Sequence, residues 1–172
     1  MNTFELKIWD DEGKRCTFYT VQWTDAKENE TDKFFKKHSA IAKLERSVQE
    51  LLKFLTMVIG DQDGAKKEYF KFEDYAQALP PPGEHKVGTL PTNYSNFPLR
   101  LYCLRINEYI VILFNGGEKT SGKAKEGKTS MAFAEANQFA KKINEALKDG
   151  TIYVTDNERE LRYFDNGREI II

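Results

Sequence analysis

Residues 99–115 of this chain read LRLYCLRINEYIVILFN and decide the fold. The first half alternates between apolar and mixed side chains, which is the pattern of a strand with two different faces. The second half, from Tyr109 onward, is almost entirely apolar, as is typical of a strand at the centre of a sheet. Ile106-Asn107-Glu108 is a short turn between them. The stretch therefore predicts a hairpin with strands Leu99–Arg105 and Tyr109–Asn115.

Two amphipathic helices are predicted, one on each side of this hairpin in sequence. The first follows a candidate cap at Thr31 or Asp32 and is expected to end at Gly60, with Ser39 dividing it into a short and a long helix. Its apolar positions recur at spacings of three, four and seven: Ile41, Leu44, Val48, Leu51, Leu52, Leu55, Val58 and Ile59. The second helix covers Met131–Leu147. An apolar stripe must be buried, and a sheet is the large partner that the sequence predicts.

Further strands are predicted towards both ends of the chain. An opening hairpin pairs Phe4–Trp9 with Cys16–Trp23, and Tyr69–Phe72 is a candidate third strand. The tail is predicted to form a further hairpin from Thr151–Thr155, Glu160–Phe164 and Glu169–Ile172. Residues 76–98 contain all five prolines, which lack the backbone donor that a central strand needs. We predict a long surface loop there.

This order of elements predicts the α+β class, as a small mixed or antiparallel sheet packed against N-terminal helices. A chain of 172 residues is long enough for one domain. We therefore predict a single domain over 1–172. Its core is 16–147, preceded by an N-terminal strand extension at 1–15 and followed by a C-terminal β-hairpin tail at 148–172.

Charge is unevenly distributed along the chain. The net charge is −1, yet residues 84–148 hold 10 basic and 6 acidic side chains, and residues 149–172 carry a net charge of −3. A polyanion is therefore a plausible partner for the middle segment alone. The start of the chain does not read as a signal peptide, and no apolar run is long enough for a membrane helix. We expect a cytoplasmic protein with no membrane partner.

The sequence contains none of the common cofactor or metal motifs. A P-loop, a Gly-x-Gly-x-x-Gly fingerprint and a Gly-x-Ser-x-Gly elbow are all absent. The two histidines, His38 and His85, are far apart, and no Cys/His spacing suits zinc. Cys16 and Cys103 each lie within an apolar strand pattern, which predicts reduced core residues in a reducing compartment. No cofactor is expected.

Alternation within the hairpin singles out three candidate catalytic residues. It places Arg100 and Tyr102 on one face of the first strand, opposite Leu101 and Cys103. An arginine in mid-strand needs a water-filled groove or a carboxylate partner, and both interpretations stay open. Lys119 follows the second strand, where side chains often line a cleft. Arg100, Tyr102 and Lys119 would suit phosphodiester chemistry without a metal, since cations stabilise charge on the phosphate and a tyrosine or lysine can move protons.

Further polar residues near this hairpin are candidates for substrate binding. They are Arg105, Thr120, Lys123, Lys125 and Lys128. A solvated basic loop is the simpler interpretation of the segment after Lys119, and it also stays open. Arg105 falls by alternation on the apolar face, so it ranks below the others.

Residues 98–120, PLRLYCLRINEYIVILFNGGEKT, resemble the phage-related, HigB-like branch of the RelE/ParE superfamily of toxins. That branch has an arginine early in one strand, an aromatic residue about two positions later, a short turn and an apolar strand. A lysine before Thr or Ser and a final helix follow. Arg100, Tyr102 and Lys119 match these positions. The order of elements over 16–147 is also similar to that of the superfamily.

The resemblance implies the toxin of a type II toxin–antitoxin pair, acting as a metal-independent endoribonuclease on mRNA. Its partners would be RNA, free or on the ribosome, and a cognate antitoxin, a small helix-turn-helix protein. Arg100 and Lys119 would hold and polarise the phosphate, and Tyr102 would position or exchange a proton. The alternative is a non-catalytic binding module of the same fold that engages a protein or nucleic-acid partner.

Overall fold

The computed structural model describes residues 2–119 and 129–172. The strands are β1 Phe4–Asp10, β2 Thr17–Trp23, β3 Lys71–Phe72, β4 Gln77–Leu79, β5 Glu84–Val87, β6 Leu90–Asn93, β7 Leu99–Asn107, β8 Ile110–Glu118, β9 Ile152–Val154, β10 Leu161–Tyr163 and β11 Ile170–Ile171. The α-helices are α1 Glu30–Ser39, α2 Glu45–Lys53 and α3 Ser130–Asp149.

Seven strands form one sheet in the order β11-β1-β2-β8-β7-β4-β3. Neighbouring strands are antiparallel except for β2 and β8, which run parallel. The predicted hairpin is confirmed as β7 and β8, and β8 lies in the middle of the sheet. The predicted α+β class is likewise confirmed.

Buried side chains form two clusters, one on each face of the sheet. Strand β8 supplies both, since Ile112 and Phe114 belong to the cluster that contains α3, and Val111 and Leu113 to the cluster that contains α1 and α2. This alternation is the period of two expected for a strand buried on both faces. The predicted N-terminal helices thus cover one face alone, and α3 covers the other.

The N-terminal helices differ in detail from the prediction. Ser39 does end α1, as expected. The cap, however, is Asn29, whose side-chain oxygen accepts a hydrogen bond from the Asp32 backbone N–H. Thr31, a predicted cap, is fully buried and donates its hydroxyl to the Phe114 carbonyl at 3.1 Å. It ties α1 to β8 instead.

The helix runs past Gly60, so the predicted stop there is wrong. From Phe54 to Asp63 it widens into a π-helix, and Gly64, in the left-handed region with φ of 76°, ends it. The backbone carbonyl of Gly60 lies against Gly13, and this close approach requires the glycine at position 13. A Cβ at Gly13 would lie only 2.2 Å from the Gly60 carbonyl oxygen.

The proline-rich segment 76–98 is not a plain surface loop, which corrects the sequence prediction. Strand β4 joins the main sheet between β3 and β7, and β5 pairs with β6 in a separate hairpin. Its prolines avoid central positions: Pro80 directly follows β4, and Pro91 lies on the two-stranded hairpin, where every strand is an edge. Proline is tolerated at such places because no ladder donor is lost.

The C-terminal tail also departs from the predicted hairpin. Strands β9 and β10 do pair with each other, but β11 leaves them and pairs with β1 at the edge of the main sheet. Ile170 is completely buried there. Covering the edge of β1 while burying an isoleucine explains why the last strand goes to the sheet.

Both cysteines are free and buried, as predicted. Burial raises the pKa of the Cys16 thiol to about 12, so it stays protonated at neutral pH. Within residues 2–119 and 129–172, no helix combines the length and apolar character that crossing a membrane requires.

Candidate functional site

One end of the sheet brings most of the chemically interesting side chains together. The parallel strands β2 and β8 finish there, and α1 begins close by. Strand β7 starts at the same end, with Leu99 opposite Glu118. Crevices outside the carboxyl ends of parallel strands are common ligand sites. We call this region, formed by residues 115–119 and their neighbours, the β8 end.

Arg100 lies at the β8 end and has a carboxylate neighbour. It is 4% exposed and faces Gly117 across the strand pair. Its Nε lies 4.0 Å from Oε1 of Glu73, and the same oxygen lies 3.3 Å from Nζ of Lys71. The sequence allowed a carboxylate partner for Arg100, and the structure identifies Glu73 as one. Lys71 and Glu73 had not been singled out, because β3 meets this end only through the tertiary fold.

Lys119 completes this group, which we call the basic cluster: Arg100, Lys71 and Lys119 around Glu73. The Lys119 backbone N–H donates to the Pro98 carbonyl at 2.7 Å, which holds the residue against the start of β7. Burial, followed by the charges of Arg100 and Lys71, lowers the pKa of the Lys119 amine. Arg100 and Lys119 both line a recess of about 30 Å³, close to the volume of a single water molecule.

Tyr102 does not lie in a groove, which corrects the sequence prediction. It is completely buried, and its ring lies 5.5 Å from that of Phe133 on α3. Its hydroxyl has no hydrogen-bond partner among the described residues. Because α3 covers this face of the sheet, Tyr102 contributes to the core and does not meet solvent.

Arg105, a predicted substrate-binding residue, does not lie at the basic cluster. Arg105 donates from Nε to the Ala65 carbonyl, and its backbone N–H donates to the Gln77 side chain at 2.8 Å. These bonds tie the far half of β7 to the loop after the π-helix and to β4, roughly 16 Å along the strand from Arg100. Four candidates lie outside the described residues: Thr120, Lys123, Lys125 and Lys128.

A larger feature, which the sequence did not reveal, adjoins the β8 end. A cleft of about 650 Å³ opens between α1 and the start of α3, and we call it the α1–α3 cleft. Three lysines of α1 lie along it, Lys33, Lys36 and Lys37. Glu135 of α3 and Gly116 of β8 lie on its other sides.

Two carboxyl groups meet beside this cleft: Glu135, which lines it, and Glu30, which lies next to Glu135. Glu30 is almost fully buried, with Lys33 Nζ 2.8 Å from one carboxylate oxygen and the Asn115 amide donating to the other at 3.2 Å. Glu135 bonds to the Glu30 side chain and also accepts from Trp23. Burial, followed by the adjacent Glu30, raises the pKa of Glu135 to about 7. Both glutamates occupy ordinary polar positions of amphipathic helices, so no sequence signal separates them from solvated ones.

The raised pKa of Glu135 predicts a pH-dependent stability. The folded protein holds this proton up to about pH 7, whereas an unfolded glutamate releases it near 4.5. Stability is therefore lost as pH rises from 4.5 through 7. Glu135→Gln imitates the protonated form. We expect it to raise the free energy of unfolding at pH 8 by about 1 kcal/mol, less than the full shift because the side chain is partly exposed.

Urea denaturation at pH 5 and pH 8 measures this effect. At pH 5 the two proteins should have nearly the same free energy of unfolding, because the folded wild type holds an uncharged Glu135 that resembles the glutamine. Glu145→Gln, on the exposed face of the same helix, is the matched control and should leave the difference between the two pH values unchanged. A difference between the two pH values that is as large in Glu135→Gln as in the wild type would contradict the assignment.

Within the described ranges, no three His, Cys, Asp or Glu side chains are grouped so that they could hold a metal ion. Comparison with protein-family models, with curated proteins and with solved structures gives no match.

Proposed function

We propose that this protein is the toxin of a type II toxin–antitoxin pair and cleaves mRNA as a metal-independent endoribonuclease. The observation that carries the proposal is the basic cluster, in which Arg100, Lys71 and Lys119 surround Glu73 at the β8 end. Among the described residues, three cations and one carboxylate meet here, a setting that favours an anionic ligand. Such a place suits a phosphate group of RNA.

The size of the recess between Arg100 and Lys119 limits how RNA is held. At about 30 Å³ it admits one phosphate oxygen and excludes a base. The rest of the nucleotide would lie outside, against the partly exposed Lys119. Arg100 would then act mainly through the electrostatic field of its guanidinium group and through hydrogen bonds to that single oxygen.

The proposed cleavage reaction uses the RNA 2′-hydroxyl as the nucleophile. The bond from O2′ to phosphorus forms, the bond from phosphorus to O5′ breaks, solvent takes the 2′-hydroxyl proton, and O5′ receives a proton. We assign that last proton to the Lys119 ammonium, whose lowered pKa favours release. Arg100 stabilises the charge that builds on the phosphate oxygens. Tyr102, being buried, takes no part.

Two further observations support the proposal. The resemblance of residues 98–120 to HigB-like toxins places Arg100 and Lys119 at that branch's functional positions. The chain also follows the same order of helix pair, hairpin and final helix over α1, α2, β7, β8 and α3. A cytoplasmic location, binding to RNA alone or on the ribosome, and inhibition by a small helix-turn-helix antitoxin belong to the proposal.

A second candidate function is a non-catalytic module of the same architecture that binds a nucleic-acid or protein partner. The near-complete burial of Arg100 and the position of Tyr102 in the core favour it, because a catalytic group must reach its substrate. The first candidate predicts binding of RNA at the β8 end, and so does the second where its partner is a nucleic acid. Only the first predicts a broken phosphodiester bond.

Induced expression, followed by assays on the purified protein, tests the proposal. We expect expression to slow growth and the pure protein to cut mRNA into products with 2′,3′-cyclic phosphate and 5′-hydroxyl ends. Cleavage should proceed equally in EDTA and in Mg²⁺, since arginine and lysine supply the charge stabilisation. RNA that is bound but stays intact would favour the binding module. RNA that is neither bound nor cut would overturn the endoribonuclease and leave only a module that binds a protein partner.

A further inference from the structure

We propose that the α1–α3 cleft is a second RNA-binding site, in which lysines of α1 hold phosphates of the single strand whose reacting phosphate lies at the basic cluster. The proposal rests on the proposed function and adds a substrate-binding surface to it. In this arrangement Glu135 controls the charge of the cleft. The sequence by itself predicts RNA contacts only on the hairpin and on the segment that follows it.

The lysines are suitably placed for a polyanion. Lys33, Lys36 and Lys37 are spaced by three and four residues and so lie on one side of α1. Lys36 pairs with Glu28 at 3.5 Å, with both side chains exposed, and an exposed pair of this kind contributes little energy. A phosphate can therefore replace Glu28 at small cost.

The cleft and the basic cluster lie on the same strand end. Gly116 lines the cleft, and Lys119, three residues later, belongs to the basic cluster. Three residues of extended chain span about 10 Å. A short single strand of RNA can therefore contact both places at once.

Charges around Glu135 make RNA binding depend on pH. The groups that face it are Glu30 and Lys33 from α1, Trp23 from β2 and Asn115 from β8, with Glu28, Lys36 and Lys37 farther along the cleft. Among the described residues in and beside the cleft, three lysines oppose two carboxylates while Glu135 is protonated. Ionisation adds a third carboxylate and cancels the excess. Bound phosphate therefore favours the protonated form, and by linkage affinity falls as pH rises through about 7.

Fluorescence anisotropy with a short 2′-O-methyl RNA tests this inference, because the probe lacks the nucleophile and stays intact. From pH 6 to pH 8 at constant ionic strength, we expect the wild type to lose affinity by about 5-fold more than Glu135→Gln. The glutamine variant should show a smaller loss of affinity between the two pH values. Its comparison with the wild type separates the effect of Glu135 from that of every other group in the protein and the probe.

A second pair of variants tests the lysines. The double variant Lys36→Gln, Lys37→Gln should bind RNA more weakly at pH 6. The slope of the logarithm of the binding constant against the logarithm of the salt concentration should become shallower by about 1.4, the value for two lost phosphate contacts to a single strand. The double variant Lys66→Gln, Lys67→Gln is the matched control. These exposed lysines follow Ala65, which bonds to Glu108 in the turn between β7 and β8, at the opposite end of β8 from the cleft. The control should bind like the wild type.

The outcomes separate this inference from the proposed function. Intact RNA together with the expected pH and salt effects would overturn the endoribonuclease and leave the binding site standing. Cleaved RNA with unchanged binding in both cleft variants would overturn the binding site alone. An equal pH dependence in Glu135→Gln and the wild type would overturn the role of Glu135, and absence of binding by the wild type would overturn the site.

Discussion

Lys119→Met is expected to lower the rate of RNA cleavage by about 100-fold to 1,000-fold while leaving the fold intact. The methionine keeps the length of the side chain and removes the charge and the proton. On the proposed mechanism the charge is needed most in the transition state, and losing one such interaction costs a factor of that size. Stability should hardly change, because Lys119 is partly exposed and sits between two other cations, Arg100 and Lys71.

Single-turnover cleavage of one mRNA by equal amounts of folded protein measures this effect. Lys148→Met, an exposed lysine in the last turn of α3, is the matched control and should cleave like the wild type. A Lys119→Met enzyme that remains fully active would remove Lys119 from the mechanism. Toxicity on expression with no cleavage by either protein would place the harmful activity elsewhere.

Gly116→Ala is expected to destabilise the protein by about 3 kcal/mol. A Cβ at this position would lie 1.9 Å from the Arg100 carbonyl oxygen and 2.9 Å from the Leu101 Cα. Both contacts are with backbone, so no side chain can rotate away. Relief would require β7 and β8 to separate at the irregular pairing between Leu101 and Cys103, which also positions Arg100.

Urea denaturation compares this variant with Gly167→Ala. At Gly167 a Cβ would meet only the end of the Asp165 side chain, which can move, so a change below about 0.5 kcal/mol is expected there. If Gly116→Ala folds stably, its cleavage activity decides whether the clash has been relieved at the site. Wild-type stability together with wild-type activity would show that the close approach is not required.

The hairpin and its central position could be predicted from residues 99–115, because a strand that is buried on both faces needs apolar side chains at odd and at even positions alike. The stripe of apolar residues on α2 likewise predicted a helix packed on a sheet. The ends of the helices and strands could be predicted less well. The π-helix contacts the distant segment around Gly13 through the Gly60 carbonyl, and β11 pairs with β1 across almost the whole chain. Such long-range contacts leave no local pattern.

The candidate site was predictable in part. Arg100 and Lys119 could be named because an arginine in mid-strand and a lysine at a strand end are unusual in their local setting. Their neighbours could not be named, since Lys71 and Glu73 reach them only when β3 joins the sheet edge. Tyr102 was misplaced because strand alternation tells which residues share a face and not which helix covers that face.

The amino-acid pattern by itself therefore determined the local periodicities, the central hairpin, the helices and the unusual placement of Arg100 and Lys119. Tertiary structure alone decided that Tyr102 is core, that Glu73 is the neighbour of Arg100, and that Glu30 meets Glu135. The physical reason is the distance along the chain over which each effect acts. Backbone preference and side-chain alternation act over a few residues, whereas burial and the pKa of a carboxyl depend on groups brought together from distant parts of the chain.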